Sequence, residues 1–553
     1  MRGAKSAKWV AIAAAVALAA TACGGSDDDN GGKGNGSGGK IDPNGIVKLA
    51  NSEPQELLQP ANTQETAGGQ VVRALWTGLV DWTTEGDLVM RNAESVESPD
   101  GQTWTVKLKP GWKFHNGEAV TAKSYVDAWN WAANSENKQK LSFWFADIKG
   151  YEKLAPEEGK PTATELEGLK VVDDNTFTIT LNNPVSYFNY KLAYSSFYPM
   201  PSEAIKDPEA FGEKPVGNGP YKFVSWDRKK KISVVRYDDY KGKNKAKNGG
   251  VDFVNYQTLE AEYDAVASNQ ADITTQVSPT NLPKYHEDFG DRAVDEPMAG
   301  IQSIQLNFEA PGWKDKSDDE LKALIKGISK AIDRETITKT VLNGTRIPAD
   351  ALTAPGLKGT LYGTGVGNES ISYDPAAAKK LIEEGGGVPK NTMYISYNAD
   401  GGHKEWVEAT CNSIREATGV ECKGDSYPDF QSDLNAREAG KTKAFYRGGW
   451  VLDYPVNVNF LKELYHSKAP SNYGKFNYKK VDEMFAEGDS AATLDETVKK
   501  YQEAEKYLLN DVPMPAIPLW YYATNAVHSE NVTNVHFDLA NFSIVEDVQV
   551  LKK

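Results

Sequence analysis

Six histidines and three cysteines are the side chains of this 553-residue chain best suited to hold a metal or to act as nucleophiles, and their spacing argues against both. His115, His286, His403, His466, His528 and His536 are scattered, and none stands at ligand spacing from another. Cys411 and Cys422, without a histidine to complete the set, are too few ligands for a zinc shell. No serine occupies a G-x-S-x-G elbow. Gly363, Gly365 and Gly367 fall in a turn-rich loop and lack the strand-then-helix context of a phosphate cradle. The expectation is a chain without catalytic residues, metal or cofactor.

The third cysteine, Cys23, has a different context. Arg2, Lys5 and Lys8 precede an apolar run from Trp9 to Ala20, followed by small residues. The run is about a dozen residues, and a helix needs about twenty to cross a bilayer, so residues 1–22 read as a signal peptide. Ala20-Thr21-Ala22-Cys23 resembles the lipobox of bacterial lipoproteins, with alanine where a larger aliphatic residue is usual. The resemblance implies that Cys23 becomes the first mature residue and carries a lipid, palmitate included. Residues 23–42 are rich in Gly, Ser, Asp, Asn and Lys, too polar to repay their ordering entropy, and read as a flexible tether.

Beyond the tether no stretch of about eighteen apolar residues occurs, and about five hundred residues remain for a body of two or three domains. The formal net charge of −15 becomes −18 when the three positive charges of Arg2, Lys5 and Lys8 leave with the signal peptide. Such an acidic body argues against nucleic acid. Lys229-Lys230-Lys231 and the lysines from Lys241 to Lys247 sit beside turn residues and read as solvated loops. With Cys23 lipidated, an exported chain leaves Cys411 and Cys422 to form a disulfide, which closes a loop of about twelve residues and contributes about 3 kcal/mol in the chain-entropy picture.

Strands and helices alternate through the body. Trp104, Val106 and Leu108 alternate with Thr105, Lys107 and Lys109, the pattern of a half-buried strand ended by Pro110-Gly111. Asn116-Gly117 supplies a tight turn, and Thr121 caps a helix bearing Tyr125, Ala128 and Trp129. Ser317 and Glu320 have capping-box spacing ahead of an apolar stripe of Leu321, Leu324, Ile325, Ile328 and Ile332. Asp333 caps a second helix, ended by Gly344, and Asp374-Pro375 opens another that runs to Gly385.

Several of these segments, in order, resemble the family 5 extracellular solute-binding proteins, receptors of ATP-driven importers. They are Leu75-Trp76-Thr77-Gly78-Leu79, Trp104 to Ala122 with Lys113-Phe114-His115-Asn116-Gly117, Pro215-Val216-Gly217-Asn218-Gly219-Pro220-Tyr221, Ala331-Ile332-Asp333-Arg334 and Tyr373-Asp374-Pro375. The resemblance implies an α/β, two-lobed periplasmic-binding-protein fold (type II, cluster C), with an extra subdomain in the first lobe and a hinge between the lobes. By analogy, lobe 1 takes residues 43–306 and 515–553, with the subdomain at about 77–205, and lobe 2 takes 307–514.

Within that family, Arg447-Gly448-Gly449-Trp450-Val451-Leu452-Asp453-Tyr454 resembles the peptide receptors, in which an aspartate follows a Gly-Trp pair. The match implies that Asp453 binds a peptide α-ammonium and Arg447 the peptide carboxylate. It places His403 near the C-terminal end of longer peptides, Trp450 over the ligand, and main-chain pairing at Gly449, Val451 and the segment Gln64 to Thr66. Each residue also admits a structural role: Asp453 as a turn cap before Tyr454-Pro455, Arg447 as an ion-pair partner, His403 as the opening of a helix bearing Trp406 and Cys411, and Trp450 as lobe core. The implied protein is a monomeric, lipid-anchored oligopeptide receptor on the outer face of the cytoplasmic membrane, delivering ligand to an ABC importer permease with its ATPases. The competing readings are another solute for the same family (a dipeptide, a nickel complex or an oligosaccharide) or a cell-surface hydrolase.

Overall fold

A computed structural model describes residues 39–63 and 65–552. The signal peptide, Cys23, most of the tether and Gln64 lie outside the described residues. The body is the expected two-lobed α/β fold, assembled from mixed sheets and flanking helices. Among the described residues no helix is long and apolar enough to cross a membrane.

Local patterning explains the elements. In strand Thr103–Leu108 the alternating Trp104, Val106 and Leu108 are buried, and Gly111, with φ +83°, takes the chain out of the sheet. Helix Ala122–Ala133 begins where the Thr121 N–H donates to Ser124 Oγ. Its Tyr125 and Trp129 pack on Phe177 of strand Thr176–Thr180, the first stacked at 5.7 Å and the second edge-on at 5.6 Å. This strand pairs with Thr103–Leu108 in a four-stranded sheet completed by Ala93–Glu97 and Leu169–Asp173. A second four-stranded sheet joins Ile46–Asn51, Gly250–Asn255, Lys231–Arg236 and Tyr221–Asp227.

Helix Asp318–Lys330 has the expected Ser317–Glu320 capping box and buries Leu321, Leu324, Ile325 and Ile328. Ile332 is buried too but lies past the end of that helix, because two residues beyond Ala331 the Asp333 carboxylate already caps helix Arg334–Thr340. That second helix stops at Thr340; Gly344, with φ +73°, belongs to the following turn, where its N–H donates to the Thr338 carbonyl. Helix Pro375–Glu384 runs as expected from the Asp374 cap to Gly385.

A six-stranded sheet carries the candidate site. Its strand order is Ile347–Pro348, Ala516–Val527, Ala293–Leu306, Phe445–Val451, Thr392–Asn398 and Glu421–Tyr427. Strand Ala293–Leu306 pairs with Ala516–Val527 over most of its length, but the register breaks between Pro297 and Ile301. Pairing with Phe445–Val451 begins within this break, at Gly300, and runs on to Leu306. A disulfide joins Cys411, in helix Lys404–Thr418, to Cys422, in strand Glu421–Tyr427. It fastens that helix to the outer edge of the sheet.

Candidate functional site

Strand Phe445–Val451 is paired on one edge and open on the other for most of its length. Its parallel pairing with Thr392–Asn398 involves only Phe445 and Tyr446, whereas on the other side it stays in antiparallel register with Ala293–Leu306 from Phe445 to Val451. The Gly448 carbonyl accepts from Gln302 Nε2 at 2.7 Å, and the Leu452 N–H donates to the Ala299 carbonyl at 3.0 Å. Because main-chain groups alternate in direction along a strand, those of Arg447, Gly449 and Val451 point to the open edge. An extended chain laid there would find donors and acceptors at every second residue.

At one end of this edge stands Arg447. A Cβ on Gly449 would lie 2.7 Å from Arg447 Nη1 and 2.9 Å from Tyr522 Oη, so glycine leaves the guanidinium room to fold over its own strand toward Tyr522. The Tyr522 hydroxyl donates to Gln302 Oε1 at 2.8 Å, and Arg447 Nε donates to Asn398 Oδ1 at 3.2 Å. Phe430 lies 5.6 Å below the guanidinium carbon. Among the described residues no carboxylate comes within 4.0 Å of Arg447, although burial pushes its pKa down. The structural ion pair is instead made next door by Arg437 and Asp433, both deeply buried.

His403 opens helix Lys404–Thr418, and its Nδ1 accepts from Trp406 Nε1 at 3.1 Å. Burial, reinforced by Arg447 and Arg437, holds its pKa well below the ordinary histidine value. The ring is therefore neutral with its proton on Nε2, a hydrogen-bond donor and not a second cation. His403 starts the helix bearing Trp406 and Cys411, as one of the two sequence expectations had it, and it lies in the electrostatic reach of Arg447.

Asp453 stands just past the other end of the strand. The Asn459 side chain, fully buried at the start of helix Val458–Tyr465, holds it twice. Asn459 Oδ1 accepts the Asp453 N–H at 2.9 Å, and its Nδ2 donates to Asp453 Oδ2 at 2.9 Å. The same Oδ1 accepts from Trp450 Nε1 at 3.1 Å, fixing the half-buried indole beside the carboxylate. Burial pushes the Asp453 carboxyl up to about 7, while Asn459 and Lys191 act to lower it and Glu463 to raise it further. Burial raises the pKa of Tyr194 and the nearby Asp453 charge raises it further, and the ring stacks on Trp144 at 4.0 Å. Lys191 is occupied by Asp147 at 2.5 Å, so no protein cation neutralises Asp453 within 4.0 Å among the described residues.

Thr66 is exposed at the first position of helix Thr66–Leu75, whose Glu65 cap accepts from the Gly68 N–H at 2.7 Å. It is therefore not on a strand. The structure brings together Arg447, Gly449, Trp450, Val451 and Asp453 along one strand and its exit, with His403 beside Arg447. It adds Asn459, Tyr522 and Gln302, neutral side chains that no motif in the sequence marked, and Asn398, from the segment that leads to His403. Among the described residues, the arrangement presents a carboxyl group without a nearby cation at one end, a guanidinium without a nearby carboxylate at the other, and a main-chain edge between them.

A family model for bacterial extracellular solute-binding proteins, family 5, matches residues 87–472. The oligopeptide-binding protein OppA of Bacillus subtilis is 26% identical over 525 residues, which cover 91% of this chain and 92% of that protein. The periplasmic OppA of Salmonella typhimurium is 26% identical over 498 residues, 87% of this chain and 88% of that one. Among solved structures, Haemophilus influenzae OppA in complex with RPPGFSPFR superposes with a TM-score of 0.76 at 23% identity, over 93% of this chain and 100% of that one. The unliganded open form of the murein tripeptide binding protein MppA gives 0.74 at 22% identity, over 94% and 99%.

Proposed function

Since this chain belongs to the family 5 bacterial extracellular solute-binding proteins, we propose that it captures oligopeptides between its lobes and delivers them to the permease of an ABC importer. It is a receptor and not an enzyme in this reading. It acts as a monomer outside the cytoplasmic membrane, tethered by a lipid on Cys23. The names of its relatives, oligopeptide-binding proteins from several bacteria, favour this ligand class.

One observation carries the reading: among the described residues, the open edge from Arg447 to Val451 is bounded by a guanidinium with no carboxylate within 4.0 Å and by a carboxyl group with no cation within 4.0 Å, as the backbone and termini of a zwitterionic peptide require. The α-ammonium goes to Asp453, whose Asn459 bonds leave it oriented, and the carboxylate goes to Arg447, with the neutral His403 as a donor nearby. Main-chain pairing at Gly449 and Val451 accepts any side chain sequence, and Trp450 covers the ligand near its amino end. On the other side of the cleft, the segment Gln64 to Thr66 completes the main-chain contacts. The lobes are residues 43–306 with 515–553, including the subdomain at about 77–205, and residues 307–514; the register break between Pro297 and Ile301 supports a hinge in strand Ala293–Leu306.

Native mass spectra of protein purified without denaturation from its own producer test this. Adducts at oligopeptide masses, lost in Asp453→Ala, are the expected result, and a single non-peptide adduct would keep the family but overturn the ligand. Calorimetry with a defined peptide should show losses of more than about 1 kcal/mol for Asp453→Ala and for Arg447→Ala. The anchor is tested separately, by whether Cys23→Ser releases the protein from the membrane fraction.

A further inference from the structure

Arg447 is not the only guanidinium beside Tyr522. Arg346 leads into the short strand Ile347–Pro348, which pairs with Trp520 and Tyr521 and so holds Arg346 against the following residue. Its guanidinium carbon lies 5.7 Å from the centre of the Tyr522 ring. Nη1 donates to the Thr345 carbonyl at 2.7 Å and to Asn525 Oδ1 at 2.6 Å, with a longer contact to the Ala523 carbonyl at 3.4 Å. Nε and Nη2 have no acceptor among the described residues, and no carboxylate lies within 4.0 Å. Asp295 is linked to it only through Asn525, whose Nδ2 donates to Asp295 Oδ1 at 2.7 Å. The oxygens of Asp295 are in turn taken by the Tyr285 hydroxyl at 2.6 Å and by His286 Nε2 at 2.9 Å.

Two half-buried guanidiniums thus lie beside one phenol, and among the described residues each has N–H groups without an acceptor and neither has a carboxylate within 4.0 Å. Tyr522 itself is committed to Gln302 and serves as the wall between them. A terminal carboxylate can satisfy one planar N–H fork, and it leaves the other unmatched. Resting on the peptide reading above, we propose that Arg346 is a specificity residue, forming with Tyr522 and Arg447 a subsite for a second carboxylate. The favoured ligands are peptides whose C-terminal residue is glutamate or aspartate, with the main-chain carboxylate on Arg447 and the side-chain carboxylate on Arg346.

The test is calorimetry with peptides of one length and sequence that differ only in a C-terminal glutamate or glutamine. The wild type should bind the glutamate peptide roughly tenfold more tightly, and in Arg346→Gln that discrimination should fall to about twofold or less. Arg346→Lys, which keeps the charge but loses the planar fork, should retain part of it. Equal affinities in the wild type, or a preference that persists in Arg346→Gln, would overturn the assignment of Arg346 while leaving the peptide receptor standing. Should the wild type bind neither peptide, the peptide reading fails and the subsite falls with it. If Arg346→Gln does not fold, the wild-type comparison together with Arg346→Lys decides.

Discussion

Asn459 grips Asp453 by two hydrogen bonds in opposite senses, accepting its main-chain N–H and donating to its carboxylate, both at 2.9 Å. One neutral amide thereby fixes both the position and the orientation of the carboxylate without supplying any compensating positive charge. Asn459→Ala should weaken peptide binding and also destabilise the fold, because the Trp450 indole N–H and the Asp453 N–H lose their shared acceptor. The stability loss should be about 1–3 kcal/mol in urea denaturation. Unchanged affinity and an unchanged midpoint would show that the amide positions nothing.

Asp453 also sets a pH dependence. Its folded pKa of about 7 stands above the ordinary 3.8, so the empty protein holds a proton there that the unfolded chain has lost. This contribution to stability is present below about pH 4 and disappears as pH rises to about 7. Ligand binding runs the opposite way, because an ammonium needs the ionised carboxylate. Affinity should fall about tenfold per pH unit below 7, while Asp453→Asn should bind weakly with no such slope. Lys191 and Glu463 face the same group, and His403 stays neutral throughout this range. A flat affinity profile from about pH 5 to about pH 8 would remove Asp453 from the ammonium site.

Gly449→Ala places a methyl group where Arg447 Nη1 and Tyr522 Oη now lie. Both atoms end flexible side chains, so the guanidinium has to shift, and the affinity loss should be measurable but smaller than the more than about 1 kcal/mol of Arg447→Ala. In an Arg447→Ala background the same substitution should cost much less, and a double-mutant cycle measures the difference. Strictly additive losses would mean that Gly449 matters only for the backbone.

The Cys411–Cys422 bond should leave neither thiol reactive in denatured, unreduced protein. Reduction should lower stability by about 3 kcal/mol in the chain-entropy picture. Titration of two free thiols would refute the bond.

The parts of this protein that were legible in its sequence are those in which neighbours along the chain determine the outcome. The alternation from Trp104 to Leu108, the Ser317–Glu320 box and the Asp374-Pro375 start all appear as read. The ends of helices were less legible: the stripe carried on to Ile332 because burial continues after the helical hydrogen bonding stops. For the site, Asp453, Arg447 and His403 could be singled out only through resemblance to peptide receptors, since their spacing alone specifies no chemistry. Asn459, Tyr522 and Arg346 were invisible for a different reason. Asn459 enters from a helix after the strand, Tyr522 from a strand remote in the chain and Arg346 from the residue that leads into another, so sheet pairing rather than sequence proximity puts the last two together. Gln64 lies outside the described residues, and Thr66 heads a helix, so the first-lobe contact is carried by the proposal alone.

The open edge of strand Phe445–Val451 also bears on how copies of the protein meet one another. A row of unpaired main-chain groups is a template for other copies of the same protein, and a solute-binding protein without its ligand is exposed to that hazard. Here the row is short, contains Gly448 and Gly449, which have poor strand propensity, and begins with a cation that repels its counterpart in a second molecule. The residues that would admit a passing peptide therefore also discourage aggregation, and a substitution that improves strand propensity at Gly448 or Gly449 would trade solubility as well as ligand access.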